Sequence, residues 1–328
     1  MPQDSALYGV ARIRSRERTL LNRERMQRLS ESTPAEALRQ LIEIGYGAMP
    51  EATLDDVEAM IASELNRAYE LIREVSVKPE QTDLFLMGAD VHNLKLLLKL
   101  RLTGSNAEPT VERGGLYDPK ALAKMVDTGE YKDLPEEFRV ALERLEQGFA
   151  RGQVNPSGVS TALDNAYLAY ALQKGDAFTQ TYFKAQADFN NLIALLRVRA
   201  LGGDAERLSA LLLEGGDIPR EILLKNFDTP TEGLARAATA GPMADAMAKG
   251  LEEVARTGRV SALEKARDDA LMAFASKGKN DVDTMAPIMG FLLAKGQEAR
   301  CVRLVMTALR NGLGEDVISE RMRVLYGE

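Results

Sequence analysis

The chain contains no tryptophan, one cysteine, one histidine and few other aromatic residues, and each shortage closes off a class of chemistry. Cys301 stands alone, so no intramolecular disulfide can form. His92 also stands alone, so neither a histidine-pair metal site nor a Ser/His/Asp triad with a spare base can be assembled. A phosphate loop of the form G-x-x-x-x-G-K-[ST] is missing: "FASKGKND" lacks both the first Gly and the closing Ser/Thr. The pairs in "RGGLYD" and "LEGGD" have no strand before them and read as helix-break glycines. Asp268-Asp269 and Asp281-Val282-Asp283 read as solvated acidic faces. No apolar run nears the roughly 20 residues a membrane span requires, because Lys95, Lys99 and Arg101 interrupt even "NLKLLLKLRL". Nothing near Met1 resembles a secretory signal. The expectation is a cytoplasmic protein without cofactor, metal or catalytic site and without a direct membrane span.

What remains is rich in Ala, Leu, Glu, Arg and Lys, a mixture that favours helix. At 328 residues the chain exceeds one core and suggests two or three domains of about 150 residues or fewer. The net charge of −7 is uneven: residues 1–28 hold seven Arg against Asp4, Glu17 and Glu24, a net of +4 that leaves −11 for the rest. That acidic remainder argues against general nucleic-acid binding, which draws on a broad basic surface. Arg12, Arg14, Arg16, Arg18, Arg23, Arg25 and Arg28 outnumber what local pairs can neutralise, so some face outward or toward another subunit.

The strongest pattern is a repeat. "DVHNLKLLLKLRLTG" at 90–104 and "DFNNLIALLRVRALG" at 188–202 share Asp90/Asp188, Asn93/Asn191, Leu94/Leu192, Leu97/Leu195, Leu98/Leu196, Arg101/Arg199 and Gly104/Gly202 at one offset of 98. Upstream, Leu65, Ala68 and Tyr69 fall on Leu163, Ala166 and Tyr167, so the repeat includes at least a helical pair. A weaker third copy, "EARCVRLVMTALRNG", starts at Glu298, with Cys301 in place of the Asn and Leu309 in place of the Arg. We therefore expect an all-α fold of three similar helical units: 51–150, 151–254, and a third built from both termini, 1–50 with 255–328. "ALYGVARIRSRERTLLNRERMQRLSE" reads as one long helix and "STPAEALRQLIEIG" as a second, capped by Thr33 with Pro34 in its first turn and ended by Gly45 and Gly47.

The identical positions mark one helix face of about 140°. It is polar at Asp90, Asn93 and Arg101. Either these groups and their copies Asp188, Asn191 and Arg199, with Glu298 in the third copy, cap and satisfy backbone groups between helices, or they line a central opening. Cys301 reads as a packed thiol.

With these residues in view, the chain resembles the C-subunit family of vacuolar/archaeal-type (V/A-type) rotary ATPases, whose eukaryotic relatives are called d subunits. The resemblance rests on Tyr8, Ala11, Arg12, Ile13, Arg14 and Leu20-Leu21, on the two repeated stretches, and on "KGQEARCVRLVMTALRNGL". Where the family usually shows Lys-Glu-x-Glu, this chain has Lys295, Gly296, Gln297 and Glu298. The resemblance implies a pseudo-threefold helical funnel seated on the membrane proteolipid ring and receiving the central shaft (D- and F-type subunits). It would be a non-catalytic adaptor in ATP-linked proton or sodium transport, cytoplasmic and peripheral on the membrane, with Arg12, Arg14, Arg16 and Arg18 and the repeated polar face as candidate interface or socket residues. A helical-repeat scaffold for another cytosolic partner is the alternative, and an unrecognised helical enzyme a weaker one.

Overall fold

The computed structural model describes residues 6–105, 107–281, 284 and 286–326. Among them are sixteen α-helices and no strand. Val282 and Asp283 lie outside the described residues, so of that acidic stretch only Asp281 is seen.

The long helix expected at the start is in fact two, α1 (Ala6–Glu17) and α2 (Arg23–Ser30). The Thr19 hydroxyl donates to the Arg16 carbonyl at 2.7 Å, and an extended Asn22 accepts from the Arg25 N–H at 2.9 Å, restarting the helix with its own N-cap. The break turns Leu21 into the core. α3 (Pro34–Glu43) carries a reciprocal capping box between Thr33 and Glu36, with Pro34 in its first turn. Gly45 and Gly47, both left-handed, end it; a Cβ on Gly47 would lie 2.5 Å from the Met60 carbonyl oxygen. A short 3-10 turn, capped by Thr53 and Asp56, leads into α4 (Val57–Val75).

The first long repeated helix is α5 (Pro79–Thr103). It is followed by α6 (Pro119–Thr128), capped by Asp118, and α7 (Glu136–Ala150). α8 (Pro156–Lys174) and the second long helix, α9 (Ala177–Ala200), start on Asn155 and Asp176. Short helices follow: α10 (Ala205–Ser209), α11 (Arg220–Lys225), α12 (Thr231–Ala237) and α13 (Ala244–Thr257). The chain closes with α14 (Ser261–Lys277), the third long helix α15 (Ala286–Arg310), and α16 (Glu315–Arg321).

The three long helices end alike. Gly104, Gly202 and Gly312 take φ of 62°, 67° and 65°. One residue beyond each, an N–H reaches back to a carbonyl of the last turn: Ser105 to Leu100 at 3.1 Å, Gly203 to Val198 at 2.9 Å, Leu313 to Ala308 at 2.9 Å. This six-to-one closure leaves the glycine in a conformation that costs other residues a Cβ clash. Donors and acceptors sit at the offsets of the sequence alignment, so the weak third copy ends on the same motif in the same register.

Two compact units emerge, one from the residues up to Thr82 together with those from Leu271 onward, the other from Asp83–Ala270. In the first, α15 is surrounded by α2, α3 and α4, with Met26, Leu41, Met60, Ile61, Val302 and Val305 in its core. In the second, one core joins α5 to α6, α7 and α8 through Leu94, Leu98, Leu122, Phe138, Leu142 and Leu163. Further along the same unit, α9 packs against α10 and α11, and α14 lies beside α9, where Arg267 donates to Asn190 at 2.9 Å and Arg197 pairs with Glu264 at 2.6 Å.

At the first of the boundaries drawn from the sequence repeat, the packing groups one helix differently, placing α4 with α15. α4, which the boundary at residue 51 assigns with α5, packs its Val57, Met60 and Ile61 on α15; α8 buries Val159, Leu163 and Ala166 in the core of α5. Sequence similarity records covalent order, whereas burial follows the apolar face: α4 turns its face toward the helix of the third copy and α8 part of its own toward that of the first.

Candidate functional site

The repeated polar residues hold loops. Asp90 is buried on α5, and its carboxylate accepts the backbone N–H of Leu116 at 2.6 Å and of Tyr117 at 3.2 Å. Asp188 on α9 does the same for Asp217 at 2.9 Å and Ile218 at 3.0 Å. Burial pushes the Asp188 carboxyl up to about 6, against the pull of its two N–H donors. One turn on, the Asn93 side chain exchanges two hydrogen bonds with the Glu112 backbone, both 2.8 Å, and Asn191 makes the same pair with Leu213 at 2.9 and 2.7 Å. An amide carries a donor and an acceptor side by side, so Asn fits a backbone N–H and C=O that Asp or Leu cannot both satisfy.

These clamps explain the glycine pairs. Gly114 and Gly215 adopt φ of 99° and 93°, open chiefly to glycine. At their neighbours the obstacle is space: a Cβ on Gly115 would stand 2.5 Å from the Asp90 Cγ, and one on Gly216 2.8 Å from the Asp188 Cγ. Arg101 and Arg199 then cap a short helix each. Arg101 donates to the Val126 carbonyl in the last turn of α6, pairs with Glu146 at 2.6 Å, and stacks over Phe149 at 5.0 Å. Arg199 donates to the Asn226 carbonyl just past α11 at 2.7 Å and stacks over Phe227 at 5.5 Å. A cation there meets the negative end of the helix dipole.

The third copy reaches the same end with other groups. Glu298 takes the Asp position and accepts the Leu21 N–H at 2.6 Å, while Lys295 bridges Glu298 at 2.8 Å and Glu64 of α4 at 2.7 Å. The second oxygen of Glu64 accepts the Gly47 N–H at 3.0 Å. Burial works against both carboxylates. For Glu64, burial is the largest single influence, yet the Lys295 charge and hydrogen bond, the Gly47 N–H and the Arg67 charge together outweigh it and hold the pKa below the ordinary value; Glu298, deeper, is pushed up by burial despite the same lysine. Cys301, in the Asn position, is buried in the apolar cluster around α15.

Asp90, Asn93, Asp188, Asn191 and Glu298 are thus buried and bonded to their own chain's backbone, while Arg101 and Arg199 are part-exposed caps. The N-terminal arginines divide. Arg12 makes a two-pronged pair with Glu74 at 2.6 and 3.0 Å, whose hydrogen bonds hold the guanidinium pKa above its ordinary value, and Arg14 pairs with Glu17 at 2.5 Å. Arg16, Arg18, Arg23 and Arg25 are exposed around the α1–α2 break and make no ion pair among the described residues, whereas Arg28 pairs with Glu24. No group of three or more potential metal-ligating side chains occurs among the described residues, and no helix among them is long and apolar enough to cross a membrane.

Residues 9–321 match the family described as "ATP synthase (C/AC39) subunit". The chain belongs to this family. The C subunit of the V-type sodium ATPase of Enterococcus hirae is 21% identical over 322 residues, covering 96% of this chain and 97% of the relative. The C subunit of the A-type ATP synthase of Haloferax volcanii is 24% identical over 349 residues, covering 97% of each, and that of Desulfurococcus sp. 26% over 343 residues, covering 98% of this chain and 90% of the relative. As a C/AC39 member the chain is a non-catalytic structural subunit of a V/A-type ATPase complex. Of the Lys-Glu-x-Glu pattern it retains Lys295 and Glu298, the two residues that bridge to Glu64 and Leu21. The departure at Gly296 is free of contact, since a Cβ there would meet only Arg300 Nη1 at 3.8 Å.

Sequence reasoning missed Glu64 as the second carboxylate of this C/AC39 protein. Its offset partner in the second copy is Ala162, so the repeat gave no hint. The signal that was available is Lys295 three residues before Glu298, a spacing that puts both on one helix face.

Proposed function

We propose that the chain is the central-stalk socket of its rotary ATPase, joining the shaft formed by D- and F-type subunits to the proteolipid ring of the membrane sector. The family match over residues 9–321 carries this reading, because it runs through both compact units. A torque adaptor needs stiffness and broad interfaces and no reactive group. The loop clamps supply the first: buried side chains each fix two backbone groups and hold loops to long helices without relying on apolar contact alone. On this reading the three similar units form a pseudo-threefold funnel, and the protein works on the cytoplasmic face of the membrane, peripheral to it. The polar residues of the repeat then shape the interface indirectly, through the loops they hold.

The four exposed arginines at the α1–α2 break are the part of this surface that meets the membrane sector, where acidic groups and head groups attract each Arg by about 1 kcal/mol. Exposed charges are screened beyond a Debye length of about 8 Å at physiological ionic strength, so the attraction must weaken with salt. The test is docking of the purified chain to membranes stripped of their catalytic head and stalk, titrated with salt. Replacing Arg16, Arg18, Arg23 and Arg25 by Gln should leave the circular dichroism unchanged, weaken docking and flatten its salt dependence. Equal affinities and slopes for parent and variant would take this corner out of the interface. If the parent fails to bind such membranes at all, the socket reading falls.

A further inference from the structure

In the first two copies the clamped loop lies close downstream of its helix, 26 residues from Asp90 and 29 from Asp188, so a short connection already keeps it near. In the third copy the held backbone is 277 residues from Glu298. Closure there depends on the bonds themselves, and those bonds are arranged as a symmetric pin. Lys295, 3% exposed, stands between two carboxylates. Each gives one oxygen to the lysine and the other to a backbone N–H, Glu298 to Leu21 at one end of the α2–α3 segment and Glu64 to Gly47 at the other. Arg67, itself exposed, adds a second cation to Glu64 at 2.9 Å, so two cations face the two carboxylates. Between the pins, Met26, Leu29, Ala37, Leu38 and Leu41 fill the core of α15.

We propose that Lys295, Glu64 and Glu298 are positioning residues for the cationic corner. They latch residues 19–49 as a strap onto α15 and α4, and the pin at Leu21 sets how Arg16, Arg18, Arg23 and Arg25 are presented. The strap rests on the geometry alone; its use in docking rests on the ring-facing reading above. A salt link suits this task better than apolar contact would, because carboxylate oxygens fix the direction of two backbone N–H groups whereas apolar packing tolerates sliding.

The experiment is hydrogen exchange by mass spectrometry on the full chain, read alongside docking to stripped membranes. Glu298→Leu removes the acceptor for Leu21 and leaves Lys295 half-paired. Glu298→Gln keeps a carbonyl oxygen for that N–H and serves as the conservative partial rescue. Asp90→Asn disturbs the corresponding clamp of the other unit and is the control. Exchange in residues 19–49 should rise roughly tenfold or more in Glu298→Leu and by less in Glu298→Gln, with α5–α8 unchanged, and docking should weaken in the same order. Unchanged exchange at 19–49, or an equal rise through α4, α15 and the strap, overturns the latch. Selective loosening with docking unaffected overturns the positioning role. Failure of the ring-facing reading shows separately, as unaltered docking in the four-arginine variant.

Discussion

Replacing Gly115 by Ala should damage the second unit chiefly through Asp90. The added Cβ would lie 2.5 Å from the Asp90 Cγ, closer than real contacts allow, so the carboxylate must swing away. In doing so it gives up the N–H groups of Leu116 and Tyr117, which lose their charged acceptor. A hydrogen bond to a charged group contributes about 1.5–3 kcal/mol, which puts the loss at about 3–6 kcal/mol for two. Asp90→Ala removes the same bonds and should cost about the same. The double variant loses them only once, because the space vacated by the carboxylate admits the new methyl. Its destabilisation should therefore stay at about 3–6 kcal/mol, a coupling of about 3 kcal/mol or more between the sites. Urea unfolding followed by far-UV circular dichroism measures all four corners of the cycle. Asp188 and Gly216 provide an independent repeat. Gly104→Ala is the backbone control: nothing lies within 4 Å of its Cβ, so only the left-handed φ opposes it, at about 1–2 kcal/mol. Additive losses in the Gly115/Asp90 cycle, about 6–12 kcal/mol in sum, would refute the assignment of the glycine pair to the carboxylate.

Arg101→Ala should lower stability by about 1–2 kcal/mol, the scale of a part-exposed cation at a helix C-terminus, and lysine should restore only part of it because it lacks the fork that serves both Val126 and Glu146; a loss beyond about 4 kcal/mol would contradict the cap. Glu36, whose carboxyl the Thr33 backbone N–H and then its hydroxyl hold below the ordinary value, contributes stability above its unfolded pKa and loses it as pH falls through the lower folded one. The stability gap between parent and Glu36→Gln, followed by urea unfolding across that pH range, should therefore close on acidification, and a gap that widens would reverse the sign.

Local chemistry was legible. Thr33 and Pro34 announced the start of α3, and Gly45 and Gly47 its end, because a cap is decided within four residues of chain. The repeat likewise marked Asp90, Asn93 and Arg101 as one face, and each of them bonds a backbone group of a following loop or helix end. Two things were hidden. The break at residues 18–22 is marked locally only by Thr19 and Asn22 amid good helix formers, and the bond that holds its Leu21 N–H comes from Glu298, far along the chain. The exchange of leading helices between cores was hidden too, since α4 and α8 carry the same pattern whichever long helix they cover. Aligning the copies could not reveal it, because the similarity follows the order of the chain.

The span between Leu21 and Glu298 also sets a timetable for synthesis. Helices α2, α3 and α4 leave the ribosome first, yet the long helix that covers their apolar faces comes 277 residues after Leu21. At about 5–20 residues per second the delay is on the order of 15–55 s. The core of α5–α8, built from near neighbours, can close during that interval. The newborn chain thus carries a finished middle and an unfinished beginning, and the period in which it needs shelter from aggregation ends only when α15 arrives.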